Sequence, residues 1–159
     1  MHLFENIYKE KQAQLSVPPI PKNSLDPAIF EYTDDGHLPK LNDLIRTLII
    51  KDIQSINDQE HEYNRTRVYD YILVGPTLKP KSFAHCPLQI VLRLNTNNLT
   101  DILKERILNQ IKSLNKQIAP GTQHPIQYIP TIRPFNEDQY PSIYHPYTNK
   151  WLKREKKLN

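Results

Sequence analysis

Glycine is nearly missing from this chain: three residues in 159, at Gly36, Gly75 and Gly121. Against a usual share of about 7%, few positions can take positive φ without steric cost, so each of the three is a candidate turn point. Cysteine is scarcer still. The single Cys86 excludes an intramolecular disulfide, and nothing in cysteine usage points to an oxidising compartment. Long apolar runs are lacking too. No segment reaches the ~18–20 residues of a membrane span, and no signal-peptide core follows Met1-His2-Leu3-Phe4. The expectation is a soluble intracellular protein, or part of an assembly built inside a cell, with no membrane partner.

Proline, by contrast, is abundant, with 14 residues, most of them in clusters at 18–21, 76–80, 120–134 and 141–146. Such clusters make stiff, extended connections, which implies a rigid body with ordered arms. The net charge of +4 is mild, and much of it sits in the last nine residues, WLKREKKLN. A terminal run of this kind is commonly a solvated tail, and no continuous basic face is evident elsewhere. The length suits one domain with a sizeable core. The boundaries are placed at 1–24 for an amphipathic and Pro-rich arm, 25–154 for the domain and 155–159 for a basic tail.

Within the arm, Leu3, Phe4, Ile7, Tyr8 and Leu15 share one helical stripe until Val17-Pro18-Pro19-Ile20-Pro21 stops it. That stripe either docks on its own domain or grips a partner. The clearest helix runs from Pro39 to Ile56, with apolar residues at Leu41, Leu44, Ile45, Leu48, Ile49, Ile53 and Ile56 and Pro39 in its first turn. A polar loop follows over 57–67. Tyr69 to Val74 reads as a strand, and the near-continuous apolar Leu88 to Leu94 as a buried central one. Thr100 to Leu114 is a second helix, with Asn98 as its cap and Ile102, Leu103, Ile107, Ile111 and Leu114 inward. Gly121 turns the chain into a third strand over 124–132, where Pro130 marks an edge or an end. The order α-β-β-α-β makes the fold class α/β (α+β), a small mixed sheet with helices packed on it.

Several pieces in order carry a resemblance: Leu25-Asp26-Pro27-Ala28-Ile29-Phe30, Gly36-His37-Leu38-Pro39-Lys40, Leu73-Val74-Gly75-Pro76, Cys86-Pro87-Leu88-Gln89-Ile90, Gly121 through Gln127, and Ile143 through Lys153 with its Lys150-Trp151. Over roughly 25–154 the chain resembles the nucleotidyltransferases encoded by bacteriophages, a branch of the DNA-polymerase-β-like superfamily. That family sets two Asp on alternate positions of one strand and a third carboxylate on a neighbouring strand, so that all three can hold two divalent metals. At the matching positions this chain has Pro87, Gln89 and Gln127. Proline has no ligand atom, and neutral amides are poor partners for magnesium. At the family's Gly-Ser turn, Gly75 is kept as a vestigial nucleotide-binding position, but Pro76 replaces the Ser and removes a hydroxyl and an N–H.

Other chemistry finds less support in the residues. His85, Cys86 and His124 offer zinc-type donors without zinc-type spacing. Asp34, Asp35, Asp52 and Asp70 are carboxylates that a relocated site would need. Tyr128, Phe135, Tyr140, Tyr144, Tyr147 and Trp151 interleave with Arg133, Lys150, Lys153 and Arg154. That pattern suits base stacking or a protein interface, and equally a Pro-rich segment packed over the sheet.

The resemblance implies a catalytically inactive, phage-encoded structural or interaction module without cofactor or metal, found in the virion or the cytoplasm of the infected cell. Its partners would be other proteins of an assembly, such as virion proteins, touched by Phe4, Ile7, Tyr8, Lys150, Trp151, Lys153 and Arg154. Two alternatives stand beside it: an active metal-dependent nucleotidyltransferase with relocated ligands, and a nucleic-acid-binding module using the aromatic and basic C-terminal third.

Overall fold

Strand pairing and helix capping together explain where each element of the chain begins. The computed structural model describes residues 25–32, 38–59, 67–80 and 85–154. The arm, Asp34, Asp35 and the tail lie outside these, and with them the contacts expected of Phe4, Ile7 and Tyr8. A two-residue strand β1 (Phe30–Glu31) pairs antiparallel with β2 (Lys40–Leu41). Helix α1 (Asp43–Gln59) follows. It starts later than the predicted Pro39, because Lys40 and Leu41 are drawn into the ladder and Asn42 then caps the helix, its Oδ1 accepting from Leu44 N at 2.9 Å. Ile45, Ile49, Ile53 and Ile56 form its buried stripe, while Leu44 is exposed. At its other end the helix outruns the predicted loop. There Asn57 binds the start of the next strand: its Oδ1 accepts from Arg67 N and Val68 N at 3.0 and 2.7 Å, and its Nδ2 donates to Val68 O at 3.0 Å.

Strands β3 (Val68–Val74) and β4 (Leu88–Leu94) pair antiparallel, joined through a 3-10 turn at Pro76–Leu78. Helix α2 (Asp101–Leu114) carries the chain over to β5 (Ile126–Thr131), parallel to β4. A parallel pair requires such a crossover. Thr100, rather than Asn98, caps α2, with Oγ1 accepting from Leu103 N at 3.2 Å. Asn98 instead takes φ 53° in the preceding turn. Ile107 and Ile111 point inward as expected, whereas Ile102 is 79% exposed.

The C-terminal segment corrects the sequence reading most clearly. Phe135 and Tyr140 pack over the sheet as expected, but the chain beyond them joins it, as β6 (Ile143–His145) and β7 (Lys150–Lys153), giving the order β5-β4-β3-β6-β7. Pro141 and Pro146 flank β6 rather than interrupt it, so no ladder hydrogen bond is lost. Arg46 on α1 fixes the intervening turn by donating to the carbonyls of Pro146 and Tyr147, both at 2.7 Å. Among the described residues this makes two helices on a five-stranded mixed sheet with a small two-stranded sheet beside it; the α/β class is as the element order predicted, and the two-stranded sheet and strands β6 and β7 are additions to it.

Two apolar layers result from the pleat. The helix-covered face holds the larger one, including Tyr71, Leu73, Leu88, Ile90, Leu92, Ile126, Tyr128, Tyr144 and Trp151. The opposite face holds Ile72, Val74, Val91 and Ile143, with Ile129, Phe135, Tyr140 and Leu152 packed against them. Each fully buried aliphatic side chain contributes about 1.5–3 kcal/mol.

Candidate functional site

On that second face, the end of β3 and the starts of β4 and β5 bring Gly75, Gln89 and Gln127 together. Val74 pairs with Gln89, and Gln89 pairs with Gln127. Alternation puts Gln89 and Gln127 on the side of Val91 and Ile129, away from the helices. Their amides meet directly: Gln89 Nε2 donates to Gln127 Oε1 at 3.0 Å. Gly75, which ends β3, takes φ 88° and ψ −158°, a region open essentially to glycine alone. A Cβ built there would come within 2.2 Å of Gln89 Oε1. The missing side chain at Gly75 is therefore what admits the amide of Gln89. Pro87 lies two residues before Gln89, just ahead of β4, and its side chain has no ligand atom.

Gly75 also opens a cleft of about 260 Å³, lined by Pro76, Lys79, Gln139, Tyr140, Pro141 and Ser142. Lys79 supplies the charge among these lining residues. The sequence reading missed its far wall, because residues 139–142 reach Gly75 only through the β3–β6 pairing. The spacing of the two amides was legible, since aligning Leu88 with Ile126 sets Gln89 beside Gln127.

The other carboxylates serve the framework. Asp52 is buried on the helix-covered side, its Oδ2 accepting from Tyr128 OH at 2.6 Å and Gln117 Nε2 at 2.8 Å. Burial, reinforced by that bond, pushes the Tyr128 hydroxyl far above its ordinary range. Asp70 pairs with His145 Nε2 at 2.9 Å, beside a separate cleft lined by Tyr69, Tyr71 and Tyr147. Neither Asp52 nor Asp70 lines the Gly75 cleft. Among the described residues no three His, Cys, Asp or Glu side chains are grouped to hold a metal ion. Of the zinc-type donors, Cys86 and His124 do meet, while His85 is exposed.

Several expected partner contacts turn out to be core residues. Trp151 is 1% exposed: it stacks on Phe30 at 5.3 Å, meets Tyr144 edge-on and donates from Nε1 to Pro39 O at 2.9 Å. Arg154 is buried. Lys153 Nζ donates to Glu137 O at 2.9 Å, and Lys150 is half-buried in β7 opposite His145. Tyr128 and Tyr144 are buried as well, so of the aromatic C-terminal third Tyr147 is the ring that stands exposed. These rings fell to the interior because β6 and β7 extend the sheet, which periodicity in so proline-rich a segment did not reveal.

Comparison with protein-family models, curated proteins and solved structures finds no match.

Proposed function

We propose that this chain is an interaction module built on a nucleotidyltransferase-like frame that does not perform metal-dependent nucleotide transfer. The observation that carries this is the Gln89–Gln127 amide pair, closed against Gly75. It occupies the positions where the resemblance expects metal-binding carboxylates. Two amides that hydrogen-bond each other bring no negative charge, whereas magnesium and its triphosphate need a cluster of anionic oxygens. The phage and virion setting rests on the resemblance and belongs to this proposal alone.

A surface for the interaction is present at the β5 edge. Leu94, Leu99, Leu108, Pro130 and Ile132 line a groove of about 280 Å³, rimmed by Lys104 and Arg133. Ile132 is 52% and Leu108 39% exposed. Pro130 lacks the N–H that strand addition would use, so docking here is by side chains. The two cations select an apolar segment of a partner protein flanked by carboxylates. Of the six rings the nucleic-acid alternative would use, Tyr128, Tyr144 and Trp151 are buried, which leaves Tyr147 exposed and Phe135 and Tyr140 half-buried.

Calorimetric titration with nucleoside triphosphates, with and without Mg²⁺, tests the first half: no metal-dependent heat is expected, and its appearance would return the enzyme reading. Selection from a random peptide library tests the second. Enriched peptides should join an apolar residue to Asp or Glu, and Lys104→Glu with Arg133→Glu should abolish the enrichment. A consensus without acidic residues would defeat the groove as the docking site.

A further inference from the structure

Helix α1, strand β3 and the turn between β6 and β7 frame a cleft of about 220 Å³, separate from both the Gly75 cleft and the β5 groove. Three tyrosine rings line it, Tyr69 and Tyr71 from β3 and Tyr147 from the turn, with Ile50 and Ile53 of α1 beside them. Tyr71 is buried, whereas Tyr69 and Tyr147 stand 49% and 64% exposed. The opening is therefore bordered by aromatic surface that folding has left in water.

The charge that lines this cleft has one sign. Asp70 is its carboxylate, and no Lys or Arg is among its lining residues. Asp70 Oδ1 accepts from Tyr71 N at 2.9 Å and lies 2.9 Å from His145 Nε2. Its Oδ2 makes no hydrogen bond among the described residues. His145 is committed to the turn as well, since its Nδ1 accepts from Thr148 N at 3.2 Å. Two arginines stand near without lining the cleft. Arg46 donates to the carbonyls of Pro146 and Tyr147, and the Arg93 guanidinium carbon rests 4.8 Å from the Tyr69 ring centroid. That second contact is a cation already held by one of these rings.

Aromatic faces are negative, so rings joined by a carboxylate attract a cation and repel an anion. Drug-sized ligands fill roughly 300–1,000 Å³, and the smaller volume here restricts the occupant to a compact head group. A primary ammonium is strongly hydrated, with three N–H donors that ring faces satisfy poorly. A methylated ammonium keeps the charge, spreads it over apolar methyl groups and gives up little water on meeting the rings. We propose that this cleft binds a methylated ammonium, held by Tyr69, Tyr71 and Tyr147 and paired with Asp70 Oδ2. Free choline and a trimethylated lysine side chain carry the same head group.

The test is a titration of the full-length, isotope-labelled chain followed through its amide NMR signals. Its two probes are choline and the neutral isostere in which carbon replaces nitrogen. Choline should move the amides of Tyr69, Asp70, Tyr71, Tyr147 and Thr148 with a Kd in the millimolar range, and its methyl protons should shift upfield in the ring currents. The isostere has the same shape without the charge and should bind on the order of fivefold more weakly. Asp70→Asn should weaken choline by a similar factor. Tyr147 is exposed, so its replacement leaves the core intact: Tyr147→Phe should retain binding and Tyr147→Leu should lose it. Equal affinity for choline and its isostere, equal loss in the Phe and Leu variants, or shifts no larger than sodium chloride produces would each overturn the proposal. A short peptide bearing trimethyllysine is then compared with its lysine form. Equal binding of the two forms would overturn the requirement for methyl groups. Trimethyllysine peptide binding about tenfold tighter than choline would support the cleft with a protein side chain as its ligand, and binding weaker than choline would support it with a free small molecule.

Discussion

At Gly75 a missing side chain does the structural work, since it makes room for the Gln89 amide and tolerates φ 88°. Gly75→Ala meets both obstacles at once, backbone strain and a clash, and is expected to cost about 1–3 kcal/mol. Urea unfolding reads this as a lowered midpoint with unchanged slope, and an unaltered midpoint would mean that Gln89 can swing aside freely. The amide pair allows a converse experiment. Gln89→Asp with Gln127→Glu puts two carboxylates on paired positions of adjacent strands. Without metal their repulsion should destabilise the protein by about 1 kcal/mol. With Mn²⁺ the melting temperature of the double variant should recover or exceed that of wild type, while wild type stays indifferent. A variant that ignores Mn²⁺ would show that these two positions do not converge on a common ligand point.

Among the elements, those with strong periodicity were legible and those defined by long-range pairing were not. The isoleucine stripe of α1 and the apolar run of β4 each bury one continuous surface, so their patterns survive folding intact. The helix starts moved because capping is decided locally by whichever side chain finds an orphan N–H: Asn42 and Thr100 did so, Pro39 and Asn98 did not. Strands β6 and β7 are three and four residues long, too short for alternation to register, and they exist through Leu73 and the Tyr144–Trp151 pairing. The Gly75–Gln89–Gln127 contact was legible as spacing on two apolar strands, while the cleft wall at 139–142 depended on those unseen strands. The polar residue most exposed to test at this scale is Asn57, whose amide makes three backbone hydrogen bonds from the end of α1 to the start of β3. Asn57→Ala leaves those groups unsatisfied or wet and should cost about 1–3 kcal/mol. Faster amide exchange should be confined to Arg67 and Val68. Unchanged protection at Val68 would mean that the strand start is held by its ladder alone.

For the molecule as a whole, tyrosine hydroxyls sealed in the main core set a limit at high pH. Burial pushes the Tyr71 hydroxyl up to about 12, although the Arg46 charge pulls the other way, and it pushes Tyr128 and Tyr144 higher still. An unfolded tyrosine ionises near 10. Below that pH both states hold the proton, and the stabilisation from these groups is complete. Above it the unfolded chain sheds protons that the folded core keeps, so stability falls as pH rises, until the folded pKa is passed near 12 for Tyr71 and beyond it for the others. Tyr128 and Tyr144 each contribute a loss of about 1.4 kcal/mol per pH unit, together about 3, and Tyr71, which lines a cleft and is screened by solvent, adds less, against a total stability of about 5–15 kcal/mol for a domain. Unfolding is therefore expected from about two units above pH 10. Tyrosinate absorbance from the buried rings should rise together with loss of the far-ultraviolet helix signal. Tyr71→Phe removes the least buried of the three hydroxyls and should flatten the decline in urea midpoint between pH 10 and 11 only slightly, whereas Tyr144→Phe should flatten it more. A midpoint that stays level across that interval would show that the three hydroxyls are not sealed in a common core.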